Sequence, residues 1–511
     1  MSSKRISRRK MVQATAAAGL GVVLPRDLGA QGARKPNILL VYADQHRHDA
    51  LGADGNRSIA TPALDRLAAE GTRFTRLWVQ SPVCRSSRAS FITGLYPHST
   101  RITSNTSPTF DASWPTFMKN LQKAGYFTAS LGKTHYIHPS EGESAPKEFA
   151  HDSRKDHPFL ASFGFDYVTE DAGQWYPAMV GFSSPYTDYL REHGLLEKYR
   201  RQIYAVWQGT PHHWDAYVND FAQEHDVTSF VARQVIDLIK TRDASKPFFI
   251  KFAPIKPHVP LAGDPIWAAH YRERQVPGGP RDHARGMNPL WERWLDARYR
   301  SSHEEGLTEE YITAGKRMYY AMISLVDQKV GEIIEVLRAR GELDNTWILY
   351  SSDHGDTMGD HRLMGKMIFY HGAVSVPAIV RPPKKAPARR TVTAPVESID
   401  LAATILDIAG APPLAGSPAQ SLLPLMNGAE RKSRYAYSEI AARNDTPYFV
   451  SVTDGRYRYT VETGTGTRCE LFDLAEDPDE TRNLADDTGR SRLMSEMQGD
   501  IVDPHLRKAK S

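Results

Sequence analysis

Two polar pairs stand at the carboxyl ends of apolar runs. Asp44-Gln45 follows the run Pro36 to Ala43, and Asp353-His354 closes the run that begins at Thr346. In open α/β sheets, ligands sit outside the carboxyl ends of the strands, so a fold of that kind can bring both pairs to one edge. Carboxylate and amide oxygens with one imidazole suit a hard divalent cation such as Ca²⁺, Mg²⁺ or Mn²⁺. Either pair alone reads equally well as a turn or a helix cap. Two pairs at strand ends favour a shared site.

Between them lies Val83-Cys84-Arg85-Ser86-Ser87-Arg88, running on to Gly94. Ser86 to Thr93 can form a helix that Gly94 stops. Cys84 then lies at its N-terminus, where backbone N–H groups and the helix dipole favour negative charge. Arg88 falls on the same face one turn later. A thiol so placed has a lowered pKa and is a candidate nucleophile, although a free cysteine is more often a small buried hydrophobe. Three further clusters supply cations: Lys133-Thr134-His135, Lys256-Pro257-His258 and Gly365-Lys366. Converging on a metal edge, such groups bind a tetrahedral oxoanion and stabilise the oxygen that leaves it. Taken singly, each lysine reads as a solvated surface residue.

The elements that must position these residues are legible as alternating strand and helix. Pro36 to Ala43 is a continuous apolar run, as expected for a buried strand of a parallel sheet. Thr61-Pro62 opens a helix over Ala63 to Glu70, which Gly71 ends. Helices are expected at 114–124, 228–240 and 309–340, and strands at 127–131, 247–252, 346–351 and 376–380. The fold class is therefore α/β: a large sandwich with a mostly parallel central sheet. Segments 138–225 and 261–307 are aromatic-rich and weakly periodic, and read as irregular insertions over the mouth of a site. Trp175, Tyr176, Trp207, Trp214 and Trp267 in them are candidates to stack on a sugar or aryl group, or to be core. Beyond about residue 430, short strands at 435–440, 448–452 and 457–461, with Asp454-Gly455 as a hairpin turn, and a helix at 490–502 make a small C-terminal α+β subdomain. The expected division is an export signal over 1–33, a catalytic domain over 34–428 and the C-terminal subdomain over 429–511.

Lys4, Arg5, Arg8, Arg9 and Lys10 precede a short apolar run from Met11 to Leu24 and small residues near Ala30. This is the pattern of an export signal, and Arg8-Arg9 resembles the twin-arginine form. A periplasmic or secreted location is expected. No stretch is long enough to span a membrane. The 511 residues carry a net charge of only +4, which gives no reason to expect nucleic acid as a partner. With two cysteines, Cys84 and Cys469, this is not a disulfide-built protein.

In this order, these clusters resemble the sulfatase family of the alkaline-phosphatase-like superfamily. The resemblance runs from Asn37 to about Asp487. Cys84 to Gly94 resembles the signature Cys-x-Pro-Ser-Arg followed by Thr-Gly. Ser351-Ser352-Asp353-His354-Gly355-Asp356, Gly359-Asp360-His361 and Cys469 to Leu474 with Asp477-Pro478 and Asn483-Leu484 also match. The resemblance implies that Cys84 is oxidised to formylglycine by a formylglycine-generating enzyme. Its hydrated gem-diol would attack sulfur, and the sulfated hemiacetal would collapse to release sulfate. It implies one divalent metal ion, Ca²⁺ in first place, on Asp44, Gln45, Cys84, Asp353 and His354. It implies that Arg88 holds the nucleophile's geometry, and that Lys133, His135, His258 and Lys366 contact sulfate and leaving group, with His258 or His135 as proton donor. The substrate would be a sulfated small molecule or glycan. Three positions differ from the family pattern. Ser86 stands where Pro or Ala is usual, a position that the converting enzyme reads. Gln45 replaces the second Asp of the commoner Asp-Asp pair, as in phosphonate monoester hydrolases of this superfamily. His371 stands where Glu is frequent. A phosphonate monoester or phosphodiester hydrolase on the same site is the second reading, and a non-catalytic sulfated-glycan-binding relative is the third.

Overall fold

The computed structural model describes residues 34–137, 148–171, 173–209, 214–282, 284–285, 288–302, 306–383, 391–431, 435–441 and 447–507. The expected export segment lies outside these residues, and so does the side chain of Trp207.

Eight strands form the central sheet: β1 (Asn37–Ala43), β2 (Thr72–Phe74), β3 (Phe127–Gly132), β4 (Tyr167–Glu170), β5 (Phe248–Ala253), β6 (Thr346–Ser352), β7 (Ile379–Arg381) and β8 (Thr391–Val392). Their order across the sheet is β8-β2-β7-β6-β1-β5-β3-β4. β1 lies at the centre and pairs in parallel with β6 on one side and β5 on the other. Only β7 runs against its neighbours β6 and β2.

β1 is apolar at every position because both faces of the sheet are covered. Leu39 and Val41 pack with Leu64 and Leu67 of helix α1 (Pro62–Glu70). The same face meets Val231 and Val235 of α4 (Val227–Thr241) and Val326 and Val330 of α5 (Glu309–Ala339). Ile38, Leu40 and Tyr42 face the other way. They pack with Phe91 of α2 (Cys84–Thr93), Phe117 and Leu121 of α3 (Phe117–Lys123), and Leu401 and Ile405 of α6 (Ser398–Ala409). The result is a three-layer α/β sandwich, as the alternating pattern predicts. Each fully buried large aliphatic side chain stabilises it by about 1.5–3 kcal/mol.

The structure departs from the sequence reading in three places. Segment 138–225 is not a purely irregular insertion. It contributes the edge strand β4 and, further on, helices over Pro185–Glu192 and Leu196–Gly209. The strand expected at 376–380 is two short pieces, Ser375–Val376 and β7, which pair with different partners. The closing helix expected over 490–502 is a short α-helix, Ser491–Glu496, a wider π turn over Met497–Val502, and a last helix α7, Asp503–Arg507. The C-terminal strands appear as an antiparallel meander of β9 (Ala436–Ala441), β10 (Tyr448–Thr453), β11 (Tyr457–Glu462) and β12 (Thr467–Asp473). Gly455, at a φ of 92°, makes the hairpin between β10 and β11. Among the described residues no helix is long and apolar enough to cross a membrane.

Candidate functional site

The site forms where β1, β3, β5 and β6 end. Asp44 and Gln45 leave β1. Gln45 has a φ of 70°, a conformation that a non-glycine residue keeps only when its surroundings hold it. Its N–H donates to Asp353 Oδ1 at 3.0 Å and its carbonyl accepts from the Tyr319 hydroxyl at 2.5 Å. Its side-chain Nε2 donates to Asp356, so Oε1 is turned inward, where it accepts from Lys366 Nζ at 2.8 Å.

β6 delivers Asp353 and His354. Burial, helped by the Lys366 charge, holds His354 down to about 4, against the pull of Asp353 and Asp44. The ring is therefore neutral at pH 7. Nδ1 lies 2.9 Å from the Gly355 carbonyl, which fixes the proton there and leaves the lone pair on Nε2 facing the site.

α2 starts at Cys84, two residues before the expected Ser86, with Val83 as N-cap. Cys84 Sγ lies 3.1 Å from His354 Nε2, 2.9 Å from Lys366 Nζ, 3.9 Å from Asp44 Oδ1 and 4.0 Å from Lys133 Nζ. Burial pushes the thiol up, but the ammonium groups of Lys133 and Lys366 outweigh burial and hold it below the ordinary thiol value. One turn along α2, Arg88 sets Nε and Nη2 each 2.9 Å from Asp353 Oδ2 and Nη1 2.8 Å from the Lys133 carbonyl.

Lys133 and His135 follow β3. Gly132 closes that strand at a φ of 100°, and a Cβ there would lie 2.1 Å from the Ala253 carbonyl oxygen. Only glycine fits this turn. Lys133 Nζ then donates to Asp44. Burial would raise the Asp44 carboxyl, yet Lys133, His258, Arg88 and Lys366 together hold it well below the carboxylate range. His135 is buried, and burial followed by the Lys133 charge keeps it neutral. His258 lies beside the Cys84 side chain, with Nδ1 2.8 Å from the Val259 carbonyl. Burial and then Lys366 depress its basicity.

Asp44, Cys84, Asp353 and His354 each offer a donor atom within 4.8 Å of the others. The Lys366 ammonium is held by Gln45 Oε1, Cys84 Sγ and His354 Nε2 at 2.8, 2.9 and 2.9 Å. Lone pairs from these residues thus converge on one positive charge, with two carboxylates beside it. Such a donor set fits a divalent cation.

A sequence profile of the sulfatase family matches residues 36–411. The chain belongs to the sulfatase family. With the family comes its enzyme class, the sulfuric ester hydrolases. A second profile, of the C-terminal part of N-sulphoglucosamine sulphohydrolase, matches residues 359–506. A choline-sulfatase of Rhizobium meliloti is 30% identical over 466 residues, covering 88% of this chain and 83% of that protein. An arylsulfatase of Clostridium perfringens is 26% identical, covering 91% and 95%. The crystal structure of a phosphonate monoester hydrolase of Agrobacterium radiobacter superposes with a TM-score of 0.75 at 25% identity, covering 93% and 96%.

In this sulfatase the structure gathers Asp44, Gln45, Cys84, Arg88, Lys133, His135, His258, Asp353, His354 and Lys366 at one sheet edge. Lys256 is the exception among the cation clusters. It is buried away from the edge, paired with Asp226 and the Ala262 carbonyl, so it anchors the loop that carries His258. His371 packs edge-on against His48 with ring centroids 4.2 Å apart, while its backbone N–H donates to Glu480 Oε2 at 2.7 Å.

Sequence reasoning missed two carboxylates. Asp356 orients Gln45 and also accepts from the Met358 and Gly365 N–H groups at 2.7 and 2.9 Å, which sets the Lys366 loop. Glu170, at the end of β4, accepts from the N–H groups of Thr134 and His135 at 2.9 and 3.2 Å. Two residues of the insertions reach the site, one of them, Trp214, among the aromatic candidates. Gln174 holds the His258 carbonyl at 2.6 Å, and the Trp214 ring lies against Gly365. By contrast, Trp267 donates to Gln328 on α5 at 2.9 Å, and Trp291 is core, stacked on Phe369.

Proposed function

We propose that this sulfatase hydrolyses the sulfate ester of a small molecule or glycan, with Cys84 matured to formylglycine as nucleophile and one divalent ion beside it. The observation that supports this reading best is the convergence on Cys84 of two carboxylates, a neutral imidazole and two ammonium groups inside a buried edge. Asp44, Gln45, residue 84, Asp353 and His354 would hold the ion, Ca²⁺ in first place. The ion would supply fixed positive charge against a sulfate oxygen, and the hydrated aldehyde would supply the attacking hydroxyl. Conversion would require a formylglycine-generating enzyme that accepts Ser86.

The chain's own residues do the rest. Lys133 and Lys366 flank the nucleophile and bind the anionic ester, and their charge acts most strongly as negative charge builds on the bridging oxygen. Arg88, clamped by Asp353 and the Lys133 backbone, is a positioning residue for the head of α2. His258 presents the nitrogen opposite its carbonyl-bound Nδ1 toward residue 84. A bound anion offsets the Lys366 charge that lowers this imidazole, so His258 can hold a proton for the departing alcohol. His135 is the second candidate. Residues 1–33 support export to the periplasm or beyond.

Gln45 and the close superposition on a phosphonate monoester hydrolase favour a second reading, in which the same site cleaves phosphonate monoesters or phosphodiesters. Assaying aryl sulfate, aryl phosphonate and phosphodiester on protein whose Cys84 peptide is shown by mass spectrometry to carry the aldehyde separates them. Highest kcat/KM on sulfate supports the first reading. Highest kcat/KM on phosphonate replaces it with the second.

A further inference from the structure

Away from the active site, three side chains from distant parts of the chain meet at one point. His98 lies on the short helix Pro97–Thr100 that follows α2, Glu439 on β9, and His505 on α7. Nδ1 of His98 is 2.7 Å from Glu439 Oε1, and Nε2 of His505 is 2.6 Å from the same oxygen. One donor atom from each residue lies within 4.8 Å of the other two.

The surroundings fix all three. Tyr96 stacks on the His98 ring, and Tyr437 stacks on His505 with centroids 3.9 Å apart and planes 4° from parallel. Glu439 Oε2 is occupied by the His98 N–H at 3.0 Å and by the Tyr448 hydroxyl. Oε1 is left facing the two imidazoles. Glu439 is 1% exposed and His505 7%, so the carboxylate is far from solvent that could stabilise its charge.

We infer that His98 Nδ1, Glu439 Oε1 and His505 Nε2 form a second metal site, for a zinc-class divalent ion. Two imidazoles and one carboxylate oxygen are a donor set that zinc favours. Tetrahedral ligands at zinc's usual bond lengths stand about 3.3 Å apart, so each imidazole has to withdraw from Oε1 by less than about 1 Å. Tyr448 and the His98 backbone then serve as the outer hydrogen bonds that hold a ligating carboxylate in place. The His98 side chain is 12% exposed, and a water would serve as fourth ligand. Such an ion pins the last helix and the C-terminal sheet to the segment directly after the helix that carries Cys84. Its role is to stabilise that frame.

The test uses the full-length protein in excess Ca²⁺, titrated with Zn²⁺ against a chromophoric chelator, with zinc K-edge X-ray absorption on the loaded sample. The site predicts one zinc per chain with two imidazoles and no sulfur in its first shell. It also predicts a zinc-dependent rise in Tm that His505→Gln abolishes, with zinc affinity falling by on the order of 10². Should Glu439→Gln fail to fold, His505→Gln and His98→Asn, which keep a polar group at the position, carry the test. A wild-type protein that takes up no zinc would leave only a hydrogen-bonded triad and overturn the proposal. Sulfur in the first shell, which would place the ion at Cys84, overturns it too, as does unchanged uptake by His505→Gln.

Discussion

Residue types at strand ends carried most of the site. Asp44, Gln45, Asp353 and His354 were legible because a parallel sheet delivers its loops to one edge, whatever their separation in sequence. Lys133→Ala and His258→Ala should each lower kcat/KM by at least ~10², about 2.7 kcal/mol of transition-state stabilisation, and Cys84→Ala should abolish turnover. Steady-state kinetics on an aryl sulfate checks all three. Asp356 and Glu170 were not legible as site residues, because they act through other groups: one turns an amide, the other holds two backbone N–H groups. Asp356→Ala should therefore weaken metal binding about 10–100-fold while leaving the fold intact, which metal titration alongside circular dichroism would show. Ser86 is the third residue of α2, fully buried, with its hydroxyl lacking a partner among the described residues. A first-turn position also tolerates proline, so this difference from the family pattern leaves the helix itself undisturbed.

The elements that position the site follow simple rules, and where the sequence reading failed the cause is local. Among the described residues β4 pairs on one side only, with β3, and its run Tyr167–Glu170 places an exposed tyrosine before three buried positions, too short for alternation to register. The expected closing helix contains Gly499 and Asp500, both poor in a helix interior, and there the backbone widens into the π turn. Gly132, by contrast, is dictated by sterics. Gly132→Ala drives a Cβ into the Ala253 carbonyl at a positive φ and should cost about 2 kcal/mol or more. It should also displace Lys133, so the urea midpoint and kcat should fall together. Loss of stability with full activity would show that the β3 turn does not set the lysine.

Across the whole molecule, the same deep burial that arms the site imposes a pH dependence on stability. Burial raises Glu170 to about 8 and Asp327 to about 7, against the backbone N–H groups that favour their ionised forms. The unfolded chain ionises both near pH 4. Each therefore contributes stability that is fully present below about pH 4 and is lost progressively up to about 7 for Asp327 and 8 for Glu170, because over that range the unfolded state binds fewer protons than the native state. The urea midpoint of the wild type should fall more steeply between about pH 4.5 and 7 than that of Glu170→Gln or Asp327→Asn. Parallel profiles would contradict the assignment. That burial raises these two carboxyls is invisible in composition, since a net charge of +4 says nothing about which acids the core has enclosed.

The proposed chemistry requires one shared cation at the edge of the sheet, and anomalous diffraction from crystals grown with Mn²⁺ addresses it directly. The expected result is a peak within bonding distance, about 2–2.6 Å, of Asp44, Gln45, Asp353 and His354 together, beside residue 84. A peak bound by only one of the two strand ends, or none at this edge, would contradict the account.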